Sequence, residues 1–282
     1  MAAVVAFGFS TACQSVRAPE AGWASQVIIH RDEYGVPHAE ARTDAAAVYG
    51  VMYARAEDEF DKLERALFLP LGRNAEVLGE AGIPWDRLVH ALEIPRRAQE
   101  SYRALPADVR ALCDAGAAAL NRYRADHPEA GVHLFGRFEP WHFVAQSYSW
   151  HLFQAAQALR QELGAAAGMG DFGMPQGSNA WAIAPARTRR GHALLLINPH
   201  LPLDEVYEAH WMSDEGLNVS GAAPFGRNLL PIYGHNGDLA WALTVNRPDV
   251  VDLFALICAG EEGAMRHRWN QGWREMPERR VT

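Results

Sequence analysis

The chain has 282 residues, 49% hydrophobic and 21% charged, with a formal net charge of −8. That is globular composition, enough for one sizeable core or two small ones. The acidic balance and the absence of a cationic run argue against a nucleic-acid partner, and no apolar run reaches the roughly 18 residues of a transmembrane helix.

Residues 1–25 read as a signal-like or disordered N-terminus. Met1 to Ala12 is apolar and rich in small residues, like the end of a signal h-region, but no basic residues precede it. Ser10-Thr11-Ala12-Cys13 weakly resembles a bacterial lipoprotein cleavage box. Export to the periplasm, with Cys13 a possible lipidation site, is the expectation. Cys13, Cys113 and Cys258 lie far apart and form no CxxC, so neither a zinc site nor a disulfide framework is expected.

Val27-Ile28-Ile29 reads as a short strand, followed by a turn through Asp32 to Pro37 that Gly35 and Pro37 punctuate. Thr43-Asp44 can cap a helix from Ala45 to about Leu69. Its apolar positions Val48, Val51, Met52, Phe60, Leu63 and Leu67 recur at three and four. The charges Arg55, Glu57 and Asp58 inside it are expected on a solvated face. Pro84 to Leu92 and Arg96 to Tyr102 look helical. Pro106 opens another helix to about Arg124, in which Cys113 is expected to pack rather than react. Phe143 to Leu163 reads as a long helix buried on several sides.

At Gly164 the texture changes. Gly168 to Gly173 spells GxGxxG, but it follows a helix and no Lys-Ser/Thr comes after it, so a spacer fits better than a phosphate loop. Beyond Ser178 the runs Trp181–Ala184, Ala193–Ile197, Tyr207–Met212, Leu217–Val219, Leu239–Thr244 and Val251–Ile257 are short, apolar and bounded by Gly, Pro, Asn and Asp, as strands are. Helices first and strands after imply an α+β fold.

Between spacer and strands stands Pro175-Gln176-Gly177-Ser178-Asn179-Ala180-Trp181. A serine hydroxyl needs a base beside it to act as a nucleophile. A serine at a new N-terminus carries its own, an α-amine whose reference pKa is about 7.7–8.0. A small, unhindered Gly177 suits the peptide rearrangement that would release it. The plainer reading is a loop serine before a strand.

The surrounding motifs occur in a definite order: Ser178-Asn179-Ala180-Trp181, Asn198-Pro199-His200, Tyr233-Gly234-His235-Asn236-Gly237, Leu239-Ala240-Trp241 and Asp249-Val250-Val251-Asp252. Upstream stand Arg31 to His38, Leu78 to Gly82 and Phe138-Glu139-Pro140-Trp141. From about residue 26 onward the chain resembles the penicillin acylase family of N-terminal nucleophile hydrolases. The resemblance implies a mostly helical α-subunit over 26–163, a spacer over 164–177, and the N-terminal part of a β-subunit over 178–282. It also implies a partial αββα sandwich, two stacked antiparallel sheets between helical layers.

For function, the resemblance implies cleavage between Gly177 and Ser178 to give an α/β heterodimer. Ser178 would be both nucleophile and, through its α-amine, base. His200 would orient the nucleophile; a satisfied core histidine is the alternative. The Val245 backbone N–H would be one oxyanion donor, and the asparagine that supplies the second in the family has no counterpart matched here. A structural Ca²⁺ would be held by Asp249, the Val251 carbonyl, Asp252 and Glu162, hard oxygen donors that suit this ion; the alternative makes Asp249 a turn cap and leaves Asp252 in solvent. No organic cofactor is expected. The substrate would be a small N-acyl amide: a penicillin, an acyl-homoserine lactone or an acylated peptide. Two other readings stand beside this one: a catalytically incomplete scaffold or binding module, and an uncut serine hydrolase using Ser178, His235 and Asp252.

Overall fold

The computed structural model describes residues 20–163, 177–202, 205–224, 228–244, 254, 256–261 and 264–277. The expectations for Met1 to Cys13, for the GxGxxG spacer, for Val245 and for Asp249, Val251 and Asp252 fall outside the described residues.

A short helix α1 (Glu20–Ala24) leads into β1 (Val27–Arg31), which pairs antiparallel with β2 (Pro37–Ala41). The Asp32 carboxylate shapes the turn between them by accepting the Tyr34 and Val36 N–H groups at 2.8 and 3.0 Å. The helix α2 (Asp44–Phe68) follows, with Thr43 Oγ1 accepting the Ala46 N–H at 3.1 Å as its cap. Val48, Val51, Met52, Leu63 and Leu67 are buried, as their three-and-four spacing requires. Gly50 sets how closely the helix approaches the sheet: a β-carbon there would lie 2.6 Å from Val27 Cγ2.

Four further helices, α3 (Ala75–Leu78), α4 (Ile83–Ala91), α5 (Ile94–Ala104) and α6 (Ala107–Asp126), precede α7 (Trp141–Leu163). Pro84 and Pro95 sit in the first turns of α4 and α5, where a missing N–H costs nothing. The fully buried Glu64 anchors the segment before α7. Its carboxylate accepts N–H groups from Val132, His133, Leu134 and Phe135 at 2.7, 3.1, 2.7 and 3.4 Å. A buried charge is tolerable only with such compensation.

The second half of the chain supplies β3 (Ser178–Ile183), β4 (Leu194–Pro199), β5 (Val206–Ser213), β6 (Asn218–Pro224), β7 (Tyr233–His235), β8 (Ala240–Trp241), β9 (Cys258–Ala259), β10 (Arg266–Trp269) and β11 (Gly272–Glu275). Among the described residues they form a six-stranded sheet in the order β1-β2-β5-β6-β7-β8, a three-stranded sheet β11-β10-β9, and the hairpin β3-β4. The β2–β5 pairing is parallel, with His38 opposite His210, and joins the two halves of the chain in one sheet. The core lies where α2 packs between this sheet and α6, and Ala209 and Trp211 of β5 contribute to it. The fold is mixed helix and sheet of the α+β kind.

Two expectations need correction. Arg55 is not on a solvated face but is 1% exposed. It lies three residues after Met52 and four after Val51, on the apolar stripe itself. Its guanidinium donates to the carbonyls of Ala223, Pro224 and Asn228 at 3.1, 2.7 and 3.2 Å. Also, β3 begins at Ser178 rather than at Trp181, so the serine belongs to the strand and not to the loop before it.

Candidate active site

The hairpin β3-β4 builds the site. Its antiparallel register sets Ser178 opposite Pro199 and Asn179 opposite Asn198. Within the connection, Thr188 Oγ1 donates to the carbonyls of Pro185 and His192 at 3.0 and 2.8 Å. His200 directly follows β4 and therefore reaches the residue before the serine.

Gly177 is the centre of this arrangement. Its φ is +130°, a conformation that L side chains rarely adopt. Its carbonyl oxygen accepts two bonds, from the Ser178 hydroxyl at 2.6 Å and from the His200 backbone N–H at 3.3 Å. A β-carbon on Gly177 would come within 3.0 Å of His200 Nδ1. The far side of the imidazole, Nε2, stands 3.0 Å from Asn179 Nδ2. One histidine thus reaches the Gly177 carbonyl through its backbone and Asn179 through its ring.

The carbonyl between Gly177 and Ser178 is polarised by two donors, one of them the hydroxyl that could attack it. The Ser178 nitrogen is still an amide and cannot act as a base. Two hydrogen bonds, one from the serine itself, thus converge on the oxygen of this one peptide bond. Nothing in the sequence marked Asn179 as the partner of His200; only the hairpin register brings them together.

The other anticipated residues are placed differently. His235 ends β7 in the six-stranded sheet, exposed, while Ser178 belongs to the separate hairpin. Asn236 makes the turn after it, accepting the Asp238 and Leu239 N–H groups at 2.9 and 2.7 Å. Glu162 lies in α7. Among the described residues, no three His, Cys, Asp or Glu side chains are grouped to hold a metal ion. No described helix is long and apolar enough to cross a membrane. Cys113 is buried, and burial followed by the charge of Asp114 pushes its thiol up to about 12, an inert group as expected.

A second polar cluster ties α2 to the sheet. Arg31 donates to Glu57, to Asp58 and to the Ala54 carbonyl, and Tyr207 donates to Asp58 at 2.7 Å. Burial opposes the charge of Arg31, but the bonds to Glu57 and Asp58 outweigh it and raise its pKa. Burial, then the Asp58 carboxylate, pushes the Tyr207 phenol well above its ordinary value. Burial brings Arg55 down to about 10, opposed by its electrostatic interactions with Tyr207 and Glu59. Beside this cluster, His38 Nδ1 and His210 Nδ1 face each other at 3.1 Å across the parallel strand pair.

Penicillin acylase 2 proenzyme of a Pseudomonas species is 25% identical over 83% of this chain and 38% of its own length. Acyl-homoserine lactone acylase PvdQ of Pseudomonas fluorescens is 27% identical over 81% of this chain and 34% of its own. The chain thus spans little more than a third of the length of these relatives. A thermostable penicillin G acylase from Alcaligenes faecalis matches with 24% identity over 53% of this chain and 95% of that one, at a TM-score of 0.38, too loose a superposition to argue from. The sequence profile described as penicillin amidase matches residues 26–282. With the profile running across nearly the whole chain and the Gly-Ser-Asn junction seated at the head of a strand, the chain belongs to the penicillin amidase family.

Proposed function

We propose that the chain is the α-subunit and the leading part of the β-subunit of a self-processing acylase, cut between Gly177 and Ser178. The observation that carries this is the Gly177 carbonyl oxygen, held at once by the Ser178 hydroxyl and the His200 N–H. In the cut, Ser178 Oγ bonds to the Gly177 carbonyl carbon, the C–N bond to Ser178 breaks, and the hydroxyl proton ends on the Ser178 nitrogen. Water then hydrolyses the ester, leaving a Gly177 carboxylate and a free serine amine. The word proenzyme in the name of one relative supports this order of events.

The freed amine, partly neutral near pH 7, then acts as the base for Ser178 Oγ on an outside amide. The acyl-enzyme is hydrolysed in turn, with the Val245 N–H as one oxyanion donor. Removing such a donor commonly costs about 3–4 kcal/mol of transition-state stabilisation. The substrate class is an apolar acyl group joined through an amide to a small polar amine; penicillin and acyl-homoserine lactone, for which two relatives are named, both fall within it. The two pieces would remain together as a heterodimer, in the periplasm. Structural Ca²⁺ at Asp249, Val251, Asp252 and Glu162 belongs to the same proposal; dialysis against Ca²⁺ without stoichiometric uptake removes it.

The deciding experiment is the intact mass and N-terminal sequence of the purified protein beside its Ser178→Ala variant. Two pieces, the second starting Ser-Asn-Ala-Trp, with the variant uncut, are expected. A single chain in both, in a protein that carries the complete β-subunit, overturns self-processing.

A further inference from the structure

Among the described residues, the amide of Asn179 is the one side-chain group bonded to the ring that faces the junction. Its Nδ2 carries only donor hydrogens. With the amide assigned this way round, its nitrogen 3.0 Å from His200 Nε2, Nε2 is the acceptor and a ring bearing one proton carries it on Nδ1. Nδ1 is the edge turned toward Gly177, 3.0 Å from where a β-carbon on that residue would stand. The same residue's backbone N–H is on the Gly177 carbonyl oxygen.

We propose that Asn179 is a positioning residue of the junction: it fixes His200 as the Nδ1–H tautomer and holds it against Gly177. This rests on the self-processing reading, because the tautomer matters when the Gly177 carbonyl becomes an oxyanion. With Nδ1 protonated, the ring presents the positive end of an N–H dipole to the residue on which negative charge develops. With Nδ1 bare, it presents a lone pair there. Fixed dipoles aimed at developing charge are the efficient form of transition-state stabilisation. Asn179 does not touch the reacting atoms and acts through His200.

The test reads the tautomer directly, whether or not the chain cuts itself. The Ser178→Ala chain, kept uncut, is labelled with 15N, and its imidazole nitrogens are observed by long-range proton–nitrogen correlation. The His200 signals are assigned by their loss in a His200→Gln chain. The neutral ring is expected to carry its proton on Nδ1. Asn179→Asp, of the same shape but with only acceptor oxygens, is expected to move the proton to Nε2. In the Ser178 background the same substitution is expected to slow self-cleavage about tenfold, the kinetic equivalent of one hydrogen bond.

A proton on Nε2 in the unsubstituted ring, or no change of tautomer in Asn179→Asp, overturns the proposal even if cleavage proceeds. The expected tautomer and its reversal, with no cleavage in any chain that carries the complete β-subunit, would uphold the positioning role and reject self-processing.

Discussion

At the scale of single residues, Gly177 is the position where substitution is most sharply defined. A side chain there meets two separate penalties, the φ of +130° and the approach to His200 Nδ1. The left-handed side of backbone space costs an L-residue roughly 1–2 kcal/mol. Gly177→Ala is accordingly expected to cut itself about tenfold more slowly or worse, measured as the rate at which the single chain disappears on a denaturing gel. A rate equal to the parent's would show that the conformation seen here is not the reactive one. The sequence offered Gly177, Ser178 and His200 as candidates because each stands in one of an ordered set of short motifs. The role of Asn179 was not legible there. It depends on which face of the hairpin each side chain takes, and that is fixed only when β3 and β4 pair in register.

At the scale of elements, the longer helices announced themselves through their spacing, and α2 extends to within a residue of its expected ends, whereas the short α1 and α3 were not expected. Strands were less legible. The segment Pro37-His38-Ala39-Glu40-Ala41 has no large β-former, yet it is an inner strand because Ala39 and Ala41 fit beneath α2. Arg55 was misplaced for a related reason: charge was weighed above its place on the apolar stripe.

The start of α7 carries a consequence for acid stability. His142 is 4% exposed and its Nδ1 accepts the Glu139 N–H at 3.2 Å. Burial, and secondarily the positive charge of Arg73, pushes its pKa from 6.5 down to about 4. The unfolded chain therefore takes up this proton first as pH falls. The stability associated with the neutral ring is complete above about 6.5 and is lost as pH drops through about 4, up to roughly 3 kcal/mol. Urea denaturation at pH 7 and at pH 4.5 should show this loss, and His142→Asn, which keeps an acceptor but does not titrate, should show less of it. Identical pH dependence in the two proteins would exclude the assignment.

At the scale of the whole molecule, the Gly177–Ser178 junction does not divide the structure where the sequence divides. The six-stranded sheet takes β1 and β2 from before the junction and β5 to β8 from after it. Side chains cross the same boundary. Tyr207 donates to Asp58, Arg55 to the end of β6, and the Asp44 N–H to Glu215 at 2.8 Å. Trp211 of β5 is 1% exposed within the core that includes α2. Pieces cut at the junction are expected to co-elute on gel filtration in native buffer and to separate only in denaturant. Separation under native conditions would mean that this shared sheet and core do not hold them together.

The parallel pairing of β2 with β5 has a kinetic side as well. Strands so far apart in sequence must find each other across a long stretch of chain, a slow search whose entropic cost grows only slowly with the length of the tether. While the chain is whole, that search is unimolecular. Once the tether is cut, the same encounter becomes bimolecular and its rate depends on concentration. Uncut Ser178→Ala protein should thus refold from urea at a rate independent of dilution, whereas the cut pair should refold more slowly with each dilution. The peptide bond at residue 177 would then act as a record of folding, present while the sheet assembles and dispensable only after it has formed.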